Sequence, residues 1–237
     1  MNNDQLILSV LTAKLGSADW SKWQIQRWCY YDYVRYPSAG AAQLNFFANA
    51  LGSNDPVSTL AKTMEQTNLQ KPRTFGQQYF IIRQIRTHLN LAPKARQTST
   101  TAALADFSYS QQAASAFLAQ LAGLGVLNIK IGQKDYFDVE QPFMFCPPGF
   151  GLGEVNPAAA LVGANGEYSN TTFQQSNDIR DVYALTPPQL IEPEQTFEAT
   201  IDFPYANSPA ATAKYGSEPL VLDVGLIFDG YIARPAQ

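Results

Sequence analysis

The chain has 237 residues, of which 46% are hydrophobic and 12% aromatic. That excludes a disordered polymer and supplies core material for one large domain or two small ones. Charged residues make up only 15%, against roughly 25% in ordinary soluble domains, so much of the surface is expected to lie against other copies or a partner. The 16 basic and 20 acidic residues leave a net charge of −4 with no basic block. Nucleic acid is therefore not expected as the principal ligand, because phosphate-backbone binding needs such a block.

A single histidine, His88, excludes multi-imidazole metal sites and leaves at most one base for a catalytic triad. Cys29 and Cys146 are too distant in sequence for a CxxC or zinc pattern and read as reduced core thiols. The start, Met1-Asn2-Asn3-Asp4, lacks the positive region of a signal peptide. The apolar run Leu6–Leu11 is far short of the roughly 20 residues that span a bilayer. A soluble chain made in a cytoplasm is the expectation.

Leu6, Ile7, Val10 and Leu11 recur at helical spacing, and Gly16 follows as a stop, so residues 4–15 read as a short amphipathic helix. Its apolar face calls for cover from its own domain, a neighbouring subunit or a membrane surface; Lys14 alone is poor support for the last. Residues 20–36 hold all three tryptophans, Trp20, Trp23 and Trp28, and four tyrosines. Such a cluster suits a sugar-binding platform, a protein interface or burial in the fold. Leu44, Phe46, Phe47 and Leu51 follow, then the turn residues Gly52-Ser53-Asn54-Asp55-Pro56, and Ser58–Gln66 reads as another short helix.

From Phe75 the pattern turns to β, with Phe80, Ile82 and Ile85 in imperfect alternation among long polar residues. A helix near 108–122 interrupts it, capped by Ser110 and striped by Ala114, Phe117, Leu118 and Leu121. Leu127, Ile129 and Ile131 alternate cleanly, and Tyr136–Val139 continues after a turn. The stretch 142–157 is a Pro/Gly-rich loop with one short apolar strand; its spaced glycines lack the strand and helix that a dinucleotide site needs. Residues 160–185 read as a polar surface excursion. Phe197, Ala199, Ile201 and Phe203 make another alternating strand. Leu220, Leu222, Val224, Leu226 and Phe228 give a last strand one apolar face, and Asp229-Gly230 turns or bulges it. Six to eight strands with long loops and an inserted helix argue for a β-sandwich, best a jelly roll. A single roll is the economical count, with a compact double roll left open.

Nucleotide-binding, esterase, zincin and EF-hand motifs are absent from the sequence. Asp135, Asp138 and Glu140 read as solvated turn charges rather than a hydrolytic pair. Loop acids such as Asp178 and Asp181 could host a structural calcium ion, but nothing in their spacing specifies one, and no cofactor is expected. His88 reads as a hydrogen-bonded structural histidine or a solvent-facing one.

Three stretches carry a resemblance to a known family: TMEQTNLQKPRTFGQQYFIIRQI at 63–85, LNIKIGQKDYFDVEQPFMFCPPGFGLGE at 127–154, and the ending FEATIDFPYA with LVLDVGLIFDGYIARPAQ. The chain resembles the jelly-roll major capsid proteins of tailless icosahedral bacteriophages, the membrane-containing tectivirus and corticovirus groups. The likeness covers roughly the last 175 residues. It implies a non-enzymatic structural protein of the virion, assembled in the host cytoplasm into capsomers, trimers by expectation, and then a capsid lattice. The implied partners are further copies of itself, other virion proteins and an internal viral membrane. Residues 1–64 would be a helical, aromatic-rich segment packing on the core or on neighbours, and 65–237 the sandwich. Leu6, Ile7, Val10 and Leu11 become candidate tie contacts, and Trp20, Trp23 and Trp28 candidate interface residues. A minor capsid, vertex or spike protein and a carbohydrate-binding β-sandwich are the alternatives.

Overall fold

The computed structural model describes residues 9, 12, 13, 23–37, 40–57, 59–93, 125–140, 183–203, 214–215 and 218–235. The described strands are β1 (Trp23–Tyr36), β2 (Gln43–Phe46), β3 (Tyr79–Pro93), β4 (Val126–Ile131), β5 (Lys134–Glu140), β6 (Tyr183–Ile191), β7 (Phe197–Asp202), β8 (Lys214–Tyr215) and β9 (Glu218–Pro235). They form two antiparallel sheets. One runs in the order β1-β9-β3-β6, with β8 pairing β9, and the other β2-β7-β4-β5. The protein is thus mainly β, built as a sandwich.

Alternation decides which side chains fill the space between the sheets. Tyr30, Val34 and Tyr36 of β1, Phe80, Ile82 and Ile85 of β3, and Val224, Leu226 and Phe228 of β9 face in from one sheet. Leu44 and Phe46 of β2, Leu127, Ile129 and Ile131 of β4, and Phe197, Ala199 and Ile201 of β7 meet them from the other. A run of rings crosses the gap. Tyr30 stacks on Phe75 at 4.1 Å, Phe75 on Phe197 at 4.4 Å, and Phe47 on Phe228 at 4.8 Å. Aromatic pairs of this kind add about 0.5–1.5 kcal/mol each beyond area burial, so this run fastens one sheet to the other.

The imperfect alternation around Phe80–Ile85 has a structural cause. The register of β3 against both β6 and β9 shifts between Ile82 and Gln84, so Arg83 is an extra residue and inward parity passes from even to odd. Gly230 sits opposite this bulge. A Cβ there would lie 1.7 Å from the Ile81 carbonyl oxygen. Asp229-Gly230 therefore marks a bulge on the neighbouring strand, while β9 itself continues to Pro235.

Several expectations change. Residues 23–36 and 43–46 are strands of the two sheets, so the sandwich begins well before residue 65 and includes part of the 1–64 segment. Aromatics on both faces of β1 had hidden its period of two. Residues 59–66 carry turns and an Asn54–Ala61 bridge rather than a helix. β6, within the expected surface excursion and just after it, is an edge strand that tolerates Pro187-Pro188 because its outer side needs no donors. Ser9, Thr12 and Ala13 are helical and exposed. Leu6, Ile7, Val10 and Leu11 lie outside the described residues, as do the 108–122 helix, the 142–157 loop and Cys146.

Candidate functional site

Three arrangements stand out on this scaffold, two on the outer face of the β1-β9-β3-β6 sheet and one buried beneath it.

The first is a polar row. Tyr33 and His88 both pair in register with Gly225, one from each side of β9. The Tyr33 ring lies across that glycine, where a Cβ would come within 2.4 Å of it, and the Tyr33 hydroxyl reaches His88 Nδ1 at 3.1 Å. Burial holds the His88 imidazole below its ordinary range, helped by the nearby Arg86 charge. Ion pairs flank the row. Arg35 forks onto Asp223 at 2.7 and 3.2 Å. Arg86 Nη2 donates to Asp229 Oδ1 at 3.1 Å, while its Nε lies 2.6 Å from Oδ2 at an angle unlike that of a hydrogen bond. Cys29 is a free, half-buried thiol on this face rather than a core residue. Burial, with the Asp229 charge, pushes its thiol up, so it is a poor nucleophile.

The second is an apolar patch further along the same face. Ile81 and Ala233 are 1% exposed and are covered by the half-buried Trp23, Ile25, Tyr79, Leu190 and Tyr231. The register lines Ile25, Ala233 and Tyr79 into one row across β1, β9 and β3. Trp23 meets Tyr79 edge-on, with centroids 5.8 Å apart and planes at 67°. These rings do not form the coplanar platform on which a sugar stacks. Trp28 is 40% exposed. The structure therefore separates Trp23, held in the patch, from Trp28, left open to solvent; Trp20 lies outside the described residues.

The third arrangement is buried. Asp32 occupies an inward position of β1 between Tyr30 and Val34, opposite Leu226. Lys62 Nζ lies 2.7 Å from its Oδ1, and the Phe47 amide donates to Oδ2 at 2.8 Å. The two side chains are 1% and 0% exposed. Burial pushes the Asp32 carboxyl up, against the opposing pull of Lys62, the Phe47 amide and the Thr67 hydroxyl. Lys62 belongs to the long β2–β3 connection, which lies along the edge of β1. The Tyr33 amide donates to the Gln66 carbonyl at 2.7 Å, and Asn68 bridges the Tyr31 amide and the Cys29 carbonyl. This connection blunts an edge that would otherwise recruit another strand. Reading the sequence missed the pair; the available signal was an aspartate sharing the parity of Tyr30, Val34 and Tyr36.

Asp135 is exposed beside the β4–β5 turn, as read from the sequence. Asp178 and Asp181 lie outside the described residues. Among the described residues no group of three or more His, Cys, Asp or Glu side chains could hold a metal ion, and no helix is long and apolar enough to cross a membrane. Compared with known proteins, the chain matches no family model, no curated protein and no solved structure.

Proposed function

We propose that the sandwich is a single jelly roll and that the chain is a structural protein of an icosahedral virus particle, self-assembling through capsomers, trimers in the simplest case, into the shell. One observation carries this reading: the strand pairing is nested. β1 pairs β9, β2 pairs β7, β3 pairs β6 and β4 pairs β5, which describes one antiparallel ribbon folded once at the β4–β5 turn and wrapped into two sheets. β9 then lies between β1 and β3, and β7 between β2 and β4. A jelly roll has this wrapped order, and such rolls recur in viral coats, lectins and cupins.

Three features favour the coat among these. Multi-histidine cupin chemistry is unavailable to a chain with one histidine, and that histidine is engaged by Tyr33. The edge-on Trp23 and Tyr79 rings suit packing better than sugar stacking. The low charge content fits a protein whose surface is covered by its own copies. On this reading the chain is not an enzyme, takes no cofactor, is made and assembled in a host cytoplasm and ends in the virion. Its partners are itself, other virion proteins and, in a membrane-containing particle, the internal membrane. Leu6, Ile7, Val10 and Leu11 would tie neighbours together, and Trp23 would stiffen the wall.

Size exclusion with light scattering, followed by negative-stain imaging of the same peak across salt and calcium conditions, tests the proposal. Trimers, capsomers or shells are expected. A monomer that never associates would overturn it and send attention to glycan binding by the exposed Trp28. Copy number in purified particles separates a shell protein from a vertex or spike component.

A further inference from the structure

We propose that Lys62 and Asp32 are joined by an intramolecular isopeptide bond formed by the folded chain itself, a modification independent of any role in a virus particle. The two groups are already in contact. Lys62 Nζ lies 2.7 Å from Asp32 Oδ1, with the side chains 1% and 0% exposed. The carboxyl is held from other sides by the Phe47 amide on Oδ2 and by the Thr67 hydroxyl. Reacting groups fixed at contact distance react as one molecule rather than two, which removes the largest entropic part of the barrier.

The setting also bears on the carboxyl's reactivity. Asp32 faces the inter-sheet core between Tyr30 and Val34, and Phe47, whose amide it binds, is fully buried. Taking two charges out of water into so apolar a site is costly, and their mutual attraction has to offset that cost. Transfer of one proton from ammonium to carboxylate removes both charges. In the proposed reaction that transfer is the first step, and it leaves a nucleophilic amine beside an electrophilic carboxylic acid. Burial acts on Asp32 in the direction of this exchange.

The step balances within the pair. The Nζ lone pair attacks Cγ and the Nζ–Cγ bond forms. Charge developing on Oδ2 is met by the Phe47 N–H at 2.8 Å, as in an oxyanion hole. The Cγ–Oδ1 bond then breaks, and Oδ1 leaves with its own proton and one from nitrogen as a molecule of water. Nothing is oxidised or reduced and no further reactant is consumed. The product is a buried amide that closes a loop between positions 30 apart and pins the β2–β3 connection to the first strand.

Intact-mass spectrometry of the full chain, fresh and after prolonged incubation, decides the matter. The expected mass is lower than that of the sequence by one water, with a branched peptide joining residues 32 and 62 after proteolysis. Lys62→Arg and Asp32→Ala should have the full sequence mass, and Asp32→Asn should instead lose one ammonia. A full sequence mass for the native chain overturns the proposal, whatever becomes of the variants. So does a water loss that persists in Lys62→Arg, or that maps by peptide sequencing to another site.

Discussion

Gly230 and Gly225 both lie on β9, both without room for a Cβ, and they should respond very differently to alanine. At Gly230 the obstacle is backbone: the new Cβ would sit 1.7 Å from the Ile81 carbonyl oxygen and 3.3 Å from the Phe80 ring. An ordinary carbon–oxygen contact is about 3.3 Å, so β3 and β9 must part by roughly 1.6 Å at the bulge. Two ladder hydrogen bonds lost at about 1 kcal/mol each, and about 1–3 kcal/mol for repacking Phe80 and Ile82, set the cost. Removing a glycine returns about 0.5–1 kcal/mol of backbone entropy, leaving a net loss of about 2–4.5 kcal/mol for Gly230→Ala. At Gly225 the obstacle is the Tyr33 ring, 2.4 Å from the new Cβ, which can swing towards solvent. The loss there is the Tyr33–His88 hydrogen bond, about 1 kcal/mol and nearly offset by the same entropy gain. Gly225→Ala should therefore stay within about 1 kcal/mol of the native chain and should not destabilise a Tyr33→Ala background at all. Urea unfolding followed by far-ultraviolet circular dichroism reads both numbers. A Gly230→Ala chain within about 0.5 kcal/mol of native, or the reverse order of the two variants, would refute the account of the bulge.

Stability should also report His88. Its folded-state value is depressed, so as pH falls the unfolded chain takes up the proton first. The stability His88 contributes is complete above about pH 6.5 and is lost as pH falls through its folded value. The urea midpoint should drop as pH is lowered through about 6.5 and below, and His88→Gln should remove that part of the slope; the Tyr33 hydroxyl and the Arg86 charge both bear on the ring. An unchanged slope in the variant would refute it. Phe197→Ala removes a ring that stacks on Phe75 and lies 5.5 Å from Phe47, at a site 1% exposed. It should cost about 3–5 kcal/mol and lower the melting temperature by roughly 10 °C in calorimetry. On the proposed coat function, deleting residues 1–16 should leave the far-ultraviolet spectrum of the sandwich intact while self-assembly weakens. Normal assembly by that chain would refute the proposed tie role of Leu6, Ile7, Val10 and Leu11.

What could be read in advance followed one rule: strands with polar residues on one face and apolar residues on the other announce themselves. Leu127-Ile129-Ile131 and Phe197-Ala199-Ile201 have that form, and both lie in the β2-β7-β4-β5 sheet. The other sheet was harder because its outer face is not simply polar. Trp23, Ile25, Tyr79, Ile81 and Tyr231 make a second small core there, so β1 and the start of β3 are apolar on both faces and lose their period. The same sheet buries Asp32 where a hydrophobic residue would be expected, because its partner arrives from a connection 30 residues away. Distance along the chain hides such a pair, since nothing local distinguishes Lys62 from a solvated lysine. Strand order was out of reach for a related reason. Alternation fixes which side chains face inward, whereas neighbours are chosen by contacts such as Tyr33 over Gly225 and the Arg83 bulge against Gly230, and each needs residues far apart in sequence. Both glycines look like turn signals or helix breakers when read singly. Their meaning comes from what crosses them, and this is why substitution at those two positions discriminates between this arrangement of strands and any other.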